Sequence, residues 1–191
     1  MAPLMEKYGD EKKPLELLLV GHNPSNDSWS SGHYYSNPTN LMWKLLPESG
    51  LIPLEWGPCC DDRIVSELLI GFTDLGRTPG NISSNYSRKE MLEWRDDFYK
   101  RIKKHAERVN GSPKRIAFTG KRQFSQLFEP PKKTIEYGCQ EILPAKFPID
   151  CEIWVLPSSS GRSVIDWSER LEPYTNLCNS MQNAFAANNI E

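Results

Sequence analysis

The stretch Leu17-Leu18-Leu19-Val20-Gly21-His22-Asn23-Pro24-Ser25 decides how the rest of the chain is read. Four aliphatic residues run without a break and stop at a glycine, with a proline three residues on. A short apolar run bounded by turn formers is the pattern of a strand buried on both faces. In open α/β sheets, the groups that meet a ligand lie just past the carboxyl ends of such strands. Asn23 falls there, and the proline after it restricts its backbone. Taken alone, Gly-His-Asn-Pro-Ser fits a plain tight turn equally well. Downstream, Gly32-His33-Tyr34-Tyr35 belongs to a polar loop. Asn37-Pro38-Thr39-Asn40 then opens a helix, capped by Thr39 or Asn40 and running to about Leu46.

Working outward, Leu15 to Val20 is the first predicted strand, and residues 1–14 form a flexible lead-in. Leu51 to Asp62 reads as irregular and Arg63 to Leu69 as a short helix. Ile70-Gly71-Phe72-Thr73-Asp74-Leu75 reads as a short buried strand. Ser87-Arg88-Lys89-Glu90 is a capping box, in which hydroxyl and carboxylate each satisfy a free backbone N–H. Met91, Trp94, Phe98 and Ile102 then recur at helical spacing. Arg115 to Phe118 is a strand, Arg122 to Phe128 a helix, and Thr134–Tyr137 and Glu141–Leu143 are two weaker strand candidates. Cys151 to Leu156 is the last clear strand, and a final helix runs from Leu171 or Pro173 to Ala187. Strands alternating with helices predict a three-layer α/β/α sandwich with a short, mostly parallel central sheet. The expected domain covers residues 15–187, with 188–191 as a tail.

Composition narrows the function classes. The 191 residues are 25% charged and 10% aromatic, which is ordinary for a globular chain and excludes collagen, coiled coil and disorder. No apolar run approaches the roughly 18 residues of a membrane span. The N-terminus has no apolar signal core, and its acids at Glu6, Asp10 and Glu11 argue against a transit peptide. An intracellular protein is expected, nuclear in a eukaryote and cytoplasmic in a bacterium. Five cysteines without a Cys-x-x-Cys, and only three histidines, argue against a disulfide framework and a zinc site. A net charge of −2 leaves no overall basic footprint, although Lys100–Lys104, Lys114-Arg115, Lys121-Arg122 and Lys132-Lys133 are local basic clusters.

A second loop follows the last strand: Pro157-Ser158-Ser159-Ser160-Gly161-Arg162-Ser163. In a parallel sheet it falls on the same edge as the Asn23 loop. Neither loop holds a paired carboxylate. The chain contains no Gly-x-Ser-x-Gly elbow, no phosphate-loop Gly-Lys-Ser and no Gly-x-Gly-x-x-Gly. Serine hydrolase, phosphate-loop nucleotidase and dinucleotide oxidoreductase are therefore weak readings.

With these residues in order, the chain resembles the mismatch-specific uracil/thymine DNA glycosylase family of the uracil-DNA glycosylase superfamily. That family's Gly-Ile-Asn-Pro-Gly is matched by Gly21 to Ser25. Its downstream Gly, aromatic, Pro, Asn and Trp are matched by Gly32, Tyr35, Pro38, Asn40 and Trp43. Gly71-Phe72-Thr73, Gly120-Lys121 and Gly138 match further blocks, and Leu156 to Ser163 matches the second motif. The likeness runs collinearly from Leu17 to Asn183.

The resemblance implies a monofunctional glycosylase that flips a uracil mispaired with guanine out of duplex DNA and hydrolyses its glycosidic bond, with thymine or other damaged pyrimidines as further substrates. It casts Asn23 as the residue that orients the water. Gly21, His22, Ser28, Tyr35 and Asn40 would contact the base. Ser160, Gly161, Arg162 and Ser163 would be the wedge that meets the opposite guanine, and Lys121 would contact phosphate. No metal or organic cofactor is implied. The expected partner is duplex DNA carrying G·U or G·T, with no membrane, and the protein is expected to be a monomer. His22 stands where the family has isoleucine, and Ser25 where it has glycine. His22 reads either as a new polar contact to base or water or as a satisfied, packed histidine. These departures keep two alternatives open: a shifted substrate such as hypoxanthine or single-strand uracil, and a catalytically weak DNA-binding module.

Overall fold

A computed structural model describes residues 4–9 and 12–188. Among these residues, five strands form one sheet in the order β2-β1-β3-β5-β4. They are β1 (Leu17–Gly21), β2 (Ile70–Asp74), β3 (Arg115–Phe118), β4 (Gly138–Cys139) and β5 (Glu152–Val155). The first three pairings are parallel, and only the short β4 runs antiparallel to β5. β1 lies in the interior and is buried along its whole length, as its unbroken aliphatic run requires.

Helices cover both faces: α1 (Asn26–Ser31), α2 (Met42–Glu48), α3 (Asp61–Leu68), α4 (Arg88–Val109), α5 (Lys121–Ser125) and α6 (Trp167–Asn188). The Ser87 capping box opens α4 as expected, and Asn110 closes it in the left-handed conformation. On that face Phe98 and Phe124 both meet Phe118 of β3, with ring centroids 5.9 Å and 5.4 Å away. On the other face Tyr34 stacks on Phe72 at 5.7 Å, Trp43 follows at 6.0 Å, and α2 packs against α6. The expected three-layer sandwich with a mostly parallel sheet is the observed one.

Four local expectations need correction. The polar segment after Ser25 is a helix, α1, because the Ser25 hydroxyl caps it by accepting from Ser28 N–H and Gly32 ends it with a left-handed turn. The two candidate strands at 134–137 and 141–143 are replaced by Gly138–Cys139 between them, where pairing with β5 overrides local propensity. The last helix starts at Trp167, so Pro173 lies inside it rather than at its start. Residues 4–9, expected to be part of a flexible lead-in, are packed. Leu4 is buried, Lys7 bridges Phe72 through both backbone groups, Tyr8 stacks on His105 at 4.6 Å, and Glu6 accepts from Thr73 and Arg101. Of the expected tail, residues 189–191 lie outside the described residues, as do 1–3 and 10–11 of the lead-in.

Candidate active site

The parallel strands end on one edge of the sheet, and a cavity of about 520 Å3 opens there. All the residues singled out from the sequence line it: Gly21, His22, Asn23, Ser28, Tyr35, Asn40, Lys121 and Ser160 to Ser163. Both loops thus meet at one site, as a parallel arrangement of β1 and β5 requires.

Asn23 is held tightly. Its Nδ2 donates to Thr78 O and Gly80 O, both at 3.0 Å, and contacts Tyr86 Oη at 3.1 Å and Pro24 O at 3.3 Å. Three of these are carbonyls that can only accept, so the nitrogen end must face them. The oxygen end faces His22, whose Nδ1 lies 2.7 Å from Asn23 Oδ1. The His22 ring packs against Tyr86 and Trp94, with centroids at 5.9 Å and 5.6 Å. Burial lowers its pKa, and the nearby Arg122 charge adds to that, against the opposing bond to Asn23. Of the two readings of His22, the packed histidine is the observed one, with its Nδ1 turned to Asn23.

Tyr35 reaches the cavity in a left-handed backbone conformation, φ 54°. Non-glycine residues hold such a conformation only when their neighbours are pinned. Here Tyr34 N–H donates to the buried Asp61 Oδ2 at 3.0 Å, and Ser36 N–H donates to Ser28 Oγ at 3.2 Å. Ser25 Oγ also donates to Ser28 Oγ, so Ser28 ties the start of α1 to the far side of Tyr35. The Tyr35 hydroxyl sits 3.4 Å from Thr119 Oγ1, at the end of β3. Asn40 uses its amide oxygen to cap Met42 N–H.

The opposite rim is the loop after β5. Leu41 N–H donates to Ser159 O, and Gly161 lies so close to Thr39 O that a Cβ there would overlap it. Arg170 of α6, 2% exposed, donates to Ser160 O, Ser163 O and Ile165 O, and Tyr174 Oη donates to Pro157 O at 2.9 Å. The tip is left open: Arg162 is exposed, with Nη1 on Asn81 O at 3.0 Å, and Val164 is fully exposed. Lys121 lies at the start of α5 with its Nζ 4.1 Å from the centre of the Tyr137 ring.

Asp74, the last residue of β2, was read from sequence only as a strand end. It lies across from Gly21 in the β1–β2 register and lines the cavity. It is 2% exposed, and its Oδ2 has no hydrogen-bond partner among the described residues, the Arg77 Nη1 standing 3.7 Å away. Burial pushes its carboxyl up to about 7, against the pull of Arg77 and Arg101 and with a small addition from Glu6. Burial, then the Asp74 charge, also holds the Tyr35 hydroxyl well above its ordinary value. Arg170, Tyr86 and Arg122 are further contributors that the sequence reading left out of the site. Arg122 was visible as half of a basic pair, and it donates to Tyr86 O at 3.3 Å. Among the described residues, no three His, Cys, Asp or Glu side chains converge as a metal group.

The fold and the cavity define an α/β protein that presents a polar ligand site at the carboxyl edge of a parallel sheet. A family model described as the Uracil DNA glycosylase superfamily matches residues 7–182, and the chain belongs to that superfamily. It is also 26% identical over 167 residues to a fission yeast (Schizosaccharomyces pombe) protein named G/U mismatch-specific uracil DNA glycosylase. The match covers 84% of this chain and 48% of that protein, so the chain spans about half the length of this curated relative.

Proposed function

We propose that the protein is a monofunctional DNA glycosylase that excises uracil mispaired with guanine from duplex DNA, with Asn23 orienting the attacking water. The observation that carries this reading is the Asn23 amide, fixed at the end of β1 in a cavity whose far rim is the Ser160–Ser163 loop. Both Nδ2 protons are engaged by the protein, so the amide meets water through Oδ1, which keeps a lone pair beyond the one facing His22. An amide does not titrate and cannot take the proton from water. The reaction then rests on positioning and on stabilising the departing base. The flipped uracil stacks on Tyr35, and its carbonyls are held by backbone N–H groups near His22 and Tyr35. The C1′–N1 bond breaks through an oxocarbenium-like state, the electron pair leaves with the base, and water adds at C1′, its proton ending on the departed uracil anion. Arg162 and its neighbours enter the gap in the stack opposite guanine, and Lys121 contacts phosphate.

The test is single-turnover release of uracil from a G·U duplex. In Asn23→Ala the rate falls by about 100- to 1000-fold, the scale for loss of one positioned catalytic group, while duplex affinity is kept. Unchanged release in that variant would refute the assignment. A second reading, excision of a different base, is favoured by Asp74. Its carboxyl changes from donor to acceptor near pH 7, so the cavity wall can meet more than one pattern of base edge. A panel of duplexes and single strands carrying uracil, thymine, hypoxanthine or ethenocytosine separates the two readings by which base is released fastest.

A further inference from the structure

We infer that His22 is a positioning residue for Asn23: its Nδ1–H occupies one lone pair of the amide Oδ1 and leaves the other as the single place for the attacking water. The inference rests on the role proposed above for Asn23 and extends it to the His22 ring, whose Nδ1 is turned to that amide.

Thr78 O and Gly80 O fix the nitrogen end, so the atom 2.7 Å from His22 Nδ1 is an oxygen. An amide oxygen accepts only, so His22 Nδ1 must carry the proton. The neutral ring then has a bare Nε2, and that atom is buried with no hydrogen-bond partner among the described residues. Burial in polar company normally brings partners to both ring nitrogens. Here the ring is clamped between Tyr86 and Trp94 so that Nδ1 is aimed at Asn23 while Nε2 is left unsatisfied. The charged and titratable neighbours are Arg122 from α5 and Tyr86 from the loop before α4, and the Arg122 charge disfavours a second positive charge on the ring. His22 therefore sits as a neutral, fixed donor.

The geometry matters because Oδ1 has two lone pairs. One is occupied by His22, and the other is directed by that bond. Without the donor the carbonyls of Thr78 and Gly80 still hold the nitrogen end, but both lone pairs of Oδ1 are open to water, so the attacking water is no longer confined to one of them. Duplex binding, which uses other residues, is untouched.

The experiment compares His22→Ile, His22→Asn, His22→Gln and His22→Asp. The asparagine side chain places its Nδ2 where the histidine Nδ1 stands, whereas glutamine places its nitrogen near the Nε2 position. The expected result is a five- to tenfold fall in single-turnover uracil release for Ile and Gln, recovery of most of the rate in Asn, and Kd for the G·U duplex within twofold throughout. Asn and Asp match in size and differ in the donor, so Asp falls at least as far as Ile even if Ile perturbs packing. A 15N–1H correlation spectrum of the wild-type protein at pH 7 shows the Nδ1–H tautomer. A rate in Ile equal to wild type, failure of Asn to exceed Asp, or an Nε2–H tautomer would each overturn the inference. Retained uracil release in Asn23→Ala would instead sink the reading beneath it, which keeps the two failures apart.

Discussion

At the end of β1, the Asn23 amide is fixed by side-chain and backbone partners on both its ends, and Tyr35 is pinned through Tyr34 and Ser36 on either side. At the end of β5, the loop is held from beneath by its own carbonyls, which accept from Arg170 and Tyr174 of α6, while Arg162 and Val164 project outward. The first region fixes the groups that would act on a bond. The second fixes a backbone and leaves its tip without packing. Chemistry that relies on positioning needs the former, because a misplaced acceptor loses the advantage of proximity. A wedge needs the latter, because its side chains must exchange solvent for the interior of a base stack.

Three substitutions probe this contrast, in order of expected effect. Arg170→Ala removes a buried cation from three carbonyls and leaves them desolvated, so stability falls by about 3–4 kcal/mol, read by denaturant unfolding. A loss under about 1 kcal/mol would mean that the β5 loop is not held by α6. Next, Asp74→Asn probes the β1 side. Its folded pKa, about 7, lies above the ordinary carboxyl value. The folded state therefore binds the proton more tightly, and the associated stability is complete at low pH and lost as pH rises towards 7. The asparagine variant lacks this loss. Its advantage over wild type should grow by about 2–3 kcal/mol between pH 5 and pH 8, measured as the difference in unfolding free energy across a pH series. A constant difference would show that Asp74 is charged throughout. Last, Arg162→Ala leaves unfolding within about 0.5 kcal/mol of wild type because the side chain is exposed. It weakens duplex affinity by up to about tenfold, equivalent to ~1.4 kcal/mol. If it lowered the single-turnover rate at saturating enzyme while affinity held, the tip would belong with the chemistry, and the contrast would blur.

Much of this was legible in the sequence because it follows from period and punctuation. The aliphatic runs at Leu17–Val20, Ile70–Phe72 and Ile116–Phe118 predict buried parallel strands, and the Ser87–Glu90 box predicts the start of α4. The two loops were placed on one edge from strand direction alone. What escaped depends on partners distant in sequence. α1 has no apolar stripe, and its signal was the cap, Ser25 three residues before Ser28 and Gly32 at the end. That serine had been read only as a missing glycine. Pro173 drew the start of α6 too late, which left Arg170 outside the helix and hid its grip on the β5 loop. Asp74 looked like the polar end of a strand. Its significance comes from Gly21 and Tyr35, which no local pattern links to it.

The closeness of Gly21 to Asp74 restricts how this protein can change over generations. A Cβ on Gly21 would overlap Asp74 Oδ1 and come within 3.1 Å of Tyr35 Oη. With the carboxylate where it stands, the Cβ of any other residue at position 21 overlaps it. Shortening Asp74 first lifts most of that barrier, whereas the reverse order passes through a misfit intermediate. The two positions are therefore an ordered pair in descent: a lineage that alters the acid opens the glycine to change, and one that keeps the acid keeps the glycine.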